Sequence, residues 1–507
     1  MLPIAIFIFL LFIPAVASAT TEILWLRPVS ECPNNGNGTA YTCAASVGAV
    51  GAWNAPANIV QGATDETAAT LDPEDTLYIC GSVPWTRVNT SINGTSTKKV
   101  RIDGSCPGGI QGIINGAANV TDDRLWYVAH SDWEFHNLTC INQAAVSGDT
   151  CIMLSLSPRT VVKNSSFYGN WVDAATGVSC NSCNGPFTIE NNFFTGYQNG
   201  LNITGGGSWS TASVSTIKNN ICDDMRWSTG DGGQCILVGA GDFNYFLVIS
   251  YNLITRWQGE AIDLNGGTNV IVERNVMTNP LDNDQAGTSE QGLKAGGLGD
   301  ANIIRWNLID IRSAISRPDN AAITSGTSGT TAGADDMEIY GNLILGGDRG
   351  IVVAGISTDI ATGARVYNNT LIGQKKYGIL VSNFVTDVDV RNNVIQTTGG
   401  AVLADLRVGT ATGSMIGGNN ALLNTWPVLV ESGGIYTGTG DIDGSASTIT
   451  ADYKPVIGST LYFGGQPQPA SAWPSPHDYL GCRFDPGKPS IGAFELCGGS
   501  RVARTKR

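Results

Sequence analysis

The stretches Ile189-Glu190-Asn191-Asn192 and Ile217-Lys218-Asn219-Asn220 contain the phrase that decides the fold: an aliphatic residue, two variable positions, then Asn or Ser. The phrase recurs about ten times, with first residues at Val162, Ile189, Ile217, Ile249, Val272, Ile304, Ile339, Val366, Val390 and Ile416. Successive copies are 23 to 35 residues apart. A repeat of about 20–50 residues predicts a solenoid, in which each coil buries its apolar edge against its neighbours.

A second phrase lies between successive Asn positions: a small residue followed by alternating apolar residues, as in Ala261-Ile262-Asp263-Leu264 and Gly292-Leu293-Lys294-Ala295. Each repeat therefore holds at least two short strands with period-two alternation, separated by Gly, Asn and Thr turns. Stacking such coils predicts an all-β fold, a single-stranded parallel β-helix with neighbouring strands about 4.8 Å apart. The recurring asparagines are expected to form an internal ladder of side-chain amides.

Composition agrees with a solenoid, because 64 of 507 residues are Gly and only 14% are charged. We expect an organisation in five parts: a signal peptide at 1–19, an N-terminal cap segment at 20–110, β-helix rungs at 111–425, C-terminal rungs and cap at 426–498, and a basic tail at 499–507. The segment from Pro489 to Glu495 is expected to close the open end of the stack, since terminal repeats must protect an exposed edge.

The N-terminus and the cysteines predict export. Residues 1–19 form an apolar run that ends in Ala17-Ser18-Ala19, which has the pattern of a signal-peptidase cleavage site. An even number of cysteines in an exported chain favours disulfides. We expect pairing between sequence neighbours: Cys32/Cys43, Cys80/Cys106, Cys140/Cys151, Cys180/Cys183, Cys222/Cys235 and Cys482/Cys497.

The net charge of −14 disfavours nucleic acid and anionic membranes as partners. After the signal, no stretch of sequence is apolar enough to span a bilayer. An acidic polysaccharide stays compatible with an acidic protein, because bound calcium bridges the two. We expect a secreted monomer whose partner is an acidic polysaccharide or another extracellular glycan.

The repeated Asn phrase, the Gly-aliphatic strands, the Asp75-Thr76-Leu77-Tyr78-Ile79 strand and the Ile491-Gly492-Ala493-Phe494-Glu495 segment together resemble the secreted proteins of the pectate-lyase-like superfamily. The resemblance covers nearly all of the mature chain and implies a right-handed parallel β-helix. It is weak for function, because this fold carries lyases, hydrolases, epimerases and adhesins.

Turn lengths indicate where a binding cleft lies. The turns between the Asn phrase and the next Gly-aliphatic strand are long in three of four consecutive rungs, at 221–235, 276–292 and 308–322. Uneven insertions on one side of a solenoid mark its binding face. Two acid–base pairs occupy outward positions on the same two rungs: Asp263 with Lys294, and Glu273 with Arg305. As plain inter-rung salt bridges, each pair contributes about 0–1 kcal/mol to stability.

A polysaccharide lyase is the sharper interpretation of these pairs. In β-elimination a base removes the proton next to a uronate carboxylate, and Lys294 serves if its pKa is lowered. Arg305 or Arg317 then binds the uronate, and Asp263, Asp282, Asp284 and Glu290 offer oxygen ligands for calcium. The segment Glu290-Gln291-Gly292-Leu293-Lys294 loosely resembles the region that supplies the Lys base in family 9 polysaccharide lyases, and only Lys294 is carried over from that resemblance.

Two other functions stay open. A non-catalytic glycan-binding or adhesin-type β-helix needs aromatic platforms, for which Trp227, Trp257 and Trp306 are candidates, with Glu273 as a polar substrate contact. A glycoside hydrolase or an epimerase on the same fold needs clustered carboxylates, and Asp223-Asp224 and Asp335-Asp336 are paired acids. No Gly-His-Gly or Arg-x-Lys element of the polygalacturonase type occurs in the rungs.

Overall fold

The structure is a computed structural model of the 507-residue chain. It describes residues 22–34, 36, 38–44, 52–59, 61, 70–85, 87–116, 124–141, 150–170, 175–183, 185–204, 214–226, 233–239, 243–281, 291–296, 300–314, 320–326, 335–356, 359–398, 404–409, 414–423, 428–431, 434–443, 453, 461, 482 and 490–494. Within these ranges the regular structure consists of strands and two 3₁₀ turns, Pro56–Asn58 and Pro107–Gly109.

Three long parallel sheets run the length of the described chain, and each coil contributes one strand to each sheet in turn. Sheet 1 precedes the recurring Asn and contains Ile23–Leu26, Thr76–Ile79, Val100–Asp103, Trp133–His136, Val161–Lys163, Thr188–Glu190, Ser215–Lys218, Phe243–Ser250, Gly267–Glu273, Ile303–Arg305, Glu338–Tyr340, Arg365–Tyr367, Val388–Arg391, Ser414–Gly418 and Ile435–Thr439.

Sheet 2 follows the Asn and contains Gly81–Pro84, Gly112–Asn115, Thr139–Ile141, Ser166–Tyr168, Phe193–Thr195, Ile221–Met225, Leu253–Trp257, Val276–Thr278, Leu308–Ile311, Leu343–Gly346, Thr370–Gln374, Val394–Thr397, Ala421–Leu422 and Ile442–Asp443. Sheet 3 holds the Gly-aliphatic strands: Val88–Asn89, Arg124–Val128, Thr150–Leu154, Thr176–Asn181, Asn199–Thr204, Gln234–Val238, Glu260–Asn265, Gln291–Gly296, Ala321–Ser325, Arg349–Val353, Tyr377–Val381, Ala404–Val408 and Val428–Val430. A separate pair joins Ala361–Thr362 and Val385–Thr386.

This architecture confirms the predicted parallel β-helix solenoid. The core is one continuous column of apolar side chains inside the coil, with members such as Ile189, Ile217 and Ile304 fully buried. The same residues begin the Asn phrase, and they lie in register on neighbouring strands. Each rung therefore buries its aliphatic residues only against the rungs before and after it.

The recurring asparagines form the predicted internal ladder. From Asn192 to Asn420, each side-chain Nδ2 donates to the Oδ1 of the next ladder residue at 2.9–3.1 Å. The same nitrogen donates to the carbonyl of the aliphatic residue that begins the preceding copy, as from Asn275 to Ile249 at 3.0 Å. Ser165 and Asp441 take the ladder position at its two ends. These bonds satisfy the buried polar groups of the bend between sheets 1 and 2.

The residue before each ladder position has a left-handed backbone, with φ between 51° and 75°. Asn tolerates this conformation better than most residues, which explains why Asn often fills the third position of the phrase. Three consecutive rungs carry large side chains there instead: Tyr251, Arg274 and Trp306. A left-handed conformation at a large side chain costs about 1–3 kcal/mol unless surrounding contacts compensate.

The last copy of the phrase lies one residue later in the structure than the sequence predicts. Asn420, not Asn419, carries the ladder, and Gly417 pairs with the inward Val390. Ile416 consequently points outward and is 56% exposed. Because side chains alternate along a strand, this one-residue shift reverses which positions face the core. Gly417 stands in the inward position because the Tyr436 ring fills the space that a Cβ would need.

The segment Pro489 to Glu495 was predicted to close the open end of the stack. Its described residues, 490–494, lie instead against the side of the solenoid. Ala493 and Phe494 pack on Leu343 and Leu345, which point outward from sheet 2. The Asn368 amide donates to the Ser490 carbonyl at 3.0 Å. These outward leucines are apolar and need a cover, which is a physical reason for the position of this segment.

Five of the predicted disulfides are confirmed: Cys32–Cys43, Cys80–Cys106, Cys140–Cys151, Cys180–Cys183 and Cys222–Cys235. The sixth predicted pair includes Cys497, and the predicted signal peptide covers 1–19; both lie outside the described residues. Among the residues that are described, no helix is long and apolar enough to cross a membrane.

Candidate active site

Two neighbouring strands of sheet 3 bring three charged side chains together on the outer face of the solenoid. Asp263 and Lys294 are register partners on Glu260–Asn265 and Gln291–Gly296. They point outward because Ile262 and Leu264 of the same strand are fully buried in the core. The predicted adjacency of Asp263 and Lys294 is therefore observed.

The Lys294 ammonium is shared between two carboxylates. Its Nζ lies 3.5 Å from Asp263 Oδ2 and 3.6 Å from Glu260 Oε1. Gln234 on the preceding strand connects the same two acids, since its Nε2 donates to Glu260 Oε2 at 2.9 Å and to Asp263 Oδ2 at 3.3 Å. The three charged groups and this amide form a compact cluster, named here the sheet 3 cluster.

Burial decides the electrostatics of the sheet 3 cluster. The Asp263 side chain is only 4% exposed and that of Lys294 is 21% exposed. Burial, reinforced by the nearby Glu260 charge, raises the pKa of Asp263 to about 7 against the opposing effect of Lys294. Asp263 therefore keeps its proton to a higher pH than an ordinary aspartate does.

Lys294 has the opposite shift from the one its predicted role requires. Burial acts to lower the pKa of Lys294, but the charges of Asp263 and Glu260 outweigh it, and the pKa is raised above its ordinary value. A lysine acts as a base at neutral pH only when its pKa is lowered. The geometry therefore favours Lys294 as a bound cation and offers no support for a basic amine.

Three buried acceptors on sheet 3 have no described partner. Asp263 Oδ1 is buried and has no hydrogen-bond partner among the described protein atoms, and the same is true of Asn199 Oδ1 and Asn202 Oδ1 on the strand beyond Gln234. Buried oxygens without partners are costly and are expected to receive a hydrogen bond from a bound molecule or water. Of the three oxygens only Asp263 Oδ1 belongs to the sheet 3 cluster, since Asn199 and Asn202 lie on the second strand away from Asp263.

The predicted calcium set is only partly described. Asp282, Asp284 and Glu290, as well as Arg317 and Trp227, lie outside the described residues. Asp263, the remaining predicted ligand, has an ammonium nitrogen 3.5 Å from its Oδ2, so a divalent cation there meets a like charge. Among the described residues no group of three His, Cys, Asp or Glu side chains is placed to hold a metal. With three of its four proposed ligands outside the described residues, calcium binding stays a prediction.

The second acid–base pair belongs to a different sheet. Arg305 lies on the outer face of sheet 1, where its Nε donates to Glu273 Oε2 at 2.7 Å and its Nη1 to the Tyr340 hydroxyl at 2.9 Å. Its guanidinium also lies 4.3 Å from the centre of the Trp306 ring. Glu273, Arg305, Trp306 and Tyr340 are named here the sheet 1 cluster. The structure does not bring Arg305 to Lys294.

The two described tryptophans predicted to stack on a sugar are buried. Trp257 is fully buried, and its Nε1 donates to the Gln291 carbonyl at 2.9 Å. Trp306 is 2% exposed, and the guanidinium groups of Arg274 and Arg305 lie 4.6 and 4.3 Å from the centre of its ring. Both rings pack within the protein and offer no open face to a ligand.

The paired acids considered for a hydrolase are engaged elsewhere. Asp223 accepts hydrogen bonds from Thr255 and Arg256, and Asp224 is paired with Arg226. The Arg256 guanidinium keeps the pKa of Asp223 below its ordinary value. A carboxylate that is bonded to a guanidinium and has a lowered pKa is a poor proton donor.

Sequence reasoning missed Glu260 and Gln234. Strict alternation from Ile262 places Glu260 on the inward face, yet its carboxylate reaches Lys294. The strand start departs from alternation, because Ala261 and Ile262 are both fully buried in the core. The small residue at that position is the available signal: in the next rung it is Gly292, where a Cβ would clash with Ile309.

No protein-family model and no curated protein matches this sequence. Among solved structures, the chain is similar to a tailspike protein of E. coli bacteriophage HK620, with a TM-score of 0.50 and 12% identity over 71% of this chain and 67% of the tailspike chain. That tailspike is a double mutant, an aspartate and a glutamate each replaced by alanine, in complex with a pentasaccharide.

Two further β-helix structures match at lower TM-scores. The surface adhesin PfbA of Streptococcus pneumoniae gives 0.42 at 11% identity, covering 67% of this chain and 83% of the adhesin. The A-module of the mannuronan C-5 epimerase AlgE6 of Azotobacter vinelandii gives 0.44 at 10% identity, covering 72% of this chain and 90% of the module. The likeness to the tailspike places the chain in the parallel β-helix class of folds, and at these identities it shows the fold alone.

Proposed function

We propose that this chain is a secreted carbohydrate-active β-helix protein that hydrolyses glycosidic bonds at the sheet 3 cluster. The observation that carries the proposal is the carboxylate pair Glu260 and Asp263. Both carboxylates accept a hydrogen bond from the Gln234 side-chain amide and lie beside Lys294. Glycoside hydrolases need two such carboxyl groups, one protonated and one ionised. Export is supported by the predicted signal peptide and by the five disulfides, which persist in oxidising compartments.

Each residue of the cluster has a role in this reaction. Asp263 is the general acid: it gives its proton to the glycosidic oxygen as the bond to the anomeric carbon breaks. Glu260 attacks that carbon and forms an ester. Water then attacks the ester, returns a proton to Asp263, and frees Glu260, so one water is consumed per bond cleaved. Lys294 stabilises the Asp263 carboxylate after it has lost its proton.

Spacing favours this two-step route. Both carboxylates accept hydrogen bonds from one nitrogen, so their bonded oxygens lie at most about 6 Å apart, which is below the ~6.5–9.5 Å separation of inverting enzymes. We therefore expect products that keep the anomeric configuration of the substrate. Proton NMR of the first-formed product distinguishes the two outcomes.

β-Elimination of an acidic polysaccharide, the function favoured from the sequence, stays the competing proposal. It differs in its product, because elimination leaves an unsaturated uronate that absorbs in the ultraviolet, whereas hydrolysis leaves only new reducing ends. The test is a panel of neutral and acidic polysaccharides, with calcium and with chelator, read by both assays.

Reducing ends without ultraviolet absorption, lost in Asp263→Asn, support the hydrolase. Unsaturated ends that need calcium and Lys294 overturn it in favour of the lyase. Binding of a polysaccharide without any product assigns the chain to the glycan-binding class. Asp223→Asn is the matched control, because this acid lies on sheet 2 and is bonded to Arg256.

A further inference from the structure

A second cluster of ligand-type side chains lies on sheet 1 at the N-terminal end of the solenoid. Trp25 and Tyr78 are register partners on its first two strands and point outward, since Leu24 and Leu77 beside them are fully buried. Their rings stack at 4.8 Å with an interplanar angle of 22°, and both stay partly exposed. Tyr41 meets the Trp25 ring edge-on at 5.2 Å. A supported, partly open aromatic pair is a platform on which a sugar ring stacks.

A polar pocket of about 330 Å³ opens on the same outer face. Its walls are made of three kinds of side chain, hydroxyls, bases and acids: Glu74, Thr76, Ser96, Thr97, Lys99, Arg101 and Glu134. Thr76 lies two residues before Tyr78 on one strand, so the pocket begins about 7 Å from the aromatic pair. That separation is about the width of one sugar ring.

The basic side chains of this pocket are fixed by ion pairs, and some of their N–H donors have no described acceptor. Glu134, whose side chain is 10% exposed, accepts from Lys99 Nζ at 2.8 Å and from Arg101 Nη2 at 3.0 Å. His136 Nε2 lies 3.1 Å from the same carboxylate. The Arg101 guanidinium is 45% exposed, and its Nη1 has no acceptor among the described residues. Arg101 and Lys99 therefore have donors to spare for a further anion.

We propose that this N-terminal surface, formed by Trp25, Tyr78, Lys99 and Arg101, binds a sugar residue that carries an anionic group, a carboxylate or a sulfate. The aromatic pair receives the apolar face of the sugar ring, and the guanidinium with the ammonium receives the anion. The hydroxyls of Thr76, Ser96 and Thr97 suit the hydroxyls of the same sugar. This surface belongs to a different sheet from Asp263 and does not depend on the proposed reaction.

The test is equilibrium binding of short oligosaccharides to the full chain carrying Asp263→Asn, which prevents turnover. The probes are galacturonan oligomers, sulfated galactan oligomers and neutral malto-oligosaccharides, measured by calorimetry. We expect one anionic class to bind and the neutral class not to bind, and the two anionic arms identify the group. Binding should weaken with added salt, because exposed charges are screened.

Variants locate the site. Arg101→Gln and Trp25→Ala should each weaken binding about tenfold, and Trp25→Tyr should restore most of the loss. The matched control is Lys218→Gln, which removes a base from the outer face of the same sheet, where it is paired with Glu190 at 2.9 Å. Each variant is checked for an unchanged unfolding midpoint.

The proposal is overturned if no anionic oligosaccharide binds, or if binding is unchanged in both Trp25→Ala and Arg101→Gln. Its outcome is independent of the outcome for the proposed function. Binding that depends on Arg101 in a chain without hydrolytic activity supports this surface and rejects the reaction. Hydrolysis that depends on Asp263 without any binding here does the reverse.

Discussion

The sheet 3 cluster and the sheet 1 cluster pair an acid with a base on the same two rungs, and they differ in how completely each charge is bonded. On sheet 1 the Arg305 guanidinium bonds Glu273 at 2.7 Å and Tyr340 at 2.9 Å. On sheet 3 the Lys294 ammonium stays at 3.5–3.6 Å from two carboxylates, and Asp263 Oδ1 has no described partner. A saturated pair stabilises the fold, whereas an unsaturated buried pair is available for chemistry.

The largest expected effect comes from removing the acid of the unsaturated cluster. Asp263→Asn should lower the rate of polysaccharide cleavage about 10²–10⁴-fold, because the leaving oxygen no longer receives a proton. Initial rates measure it. Glu273→Gln, the equivalent change in the sheet 1 cluster, should leave the rate within about twofold. Equal losses in both variants would mean that the two clusters do not differ as argued.

The next effect is on stability and has the reverse pattern. Glu273→Ala should lower the free energy of unfolding by about 3 kcal/mol, because it leaves the buried Arg305 charge without its carboxylate. Glu190→Ala, on the same face of the same sheet, removes the partner of a 41% exposed lysine and should cost less than about 1 kcal/mol. Denaturant unfolding compares the two, and equal costs would show that burial does not set the value of these pairs.

The pH dependence of stability should belong to the sheet 3 cluster. The pKa of Asp263 is raised from 3.8 to about 7, so the folded protein holds this proton more tightly than the unfolded chain does. The resulting stability is fully present below about pH 4 and is lost as the pH rises through about 7. The free energy of unfolding of the wild type, measured relative to that of Asp263→Asn, should therefore fall as the pH rises from about 4 to about 7. A difference that does not change with pH would contradict the raised pKa of Asp263.

The architecture was predictable because it repeats. Ten copies of one phrase average out local exceptions, and the ladder is set by a single residue type whose amide bonds both neighbours. The one misplaced copy, at Ile416, had no inward aliphatic residue to fix its register, since Gly417 takes that place. Sequence periodicity is weakest where the periodic residue is replaced.

The candidate site was only half predictable. Asp263 and Lys294 were found because outward positions on adjacent strands become neighbours in a β-helix. Glu260 was missed because the strand departs from alternation at its first residues. Arg305 was expected to act with Lys294, but the two residues lie on different sheets, and a shared rung does not determine which sheet faces a cleft. Asp263 and Glu260 both raise the pKa of Lys294, Asp263 more strongly, and the sequence does not show how far burial offsets them.

The smallest expected effect concerns the strained corner beside the sheet 1 cluster. Trp306 has a left-handed backbone, with φ 57°, and its ring lies 4.6 Å from the Arg274 guanidinium and 4.3 Å from that of Arg305. Trp306→Phe should lower the free energy of unfolding by about 1 kcal/mol, because a smaller ring attracts the two cations less strongly. Cleavage and oligosaccharide binding should be unchanged, since the ring is 2% exposed. A loss of binding with unchanged stability would instead make Trp306 a sugar contact and place the sheet 1 cluster among the functional surfaces.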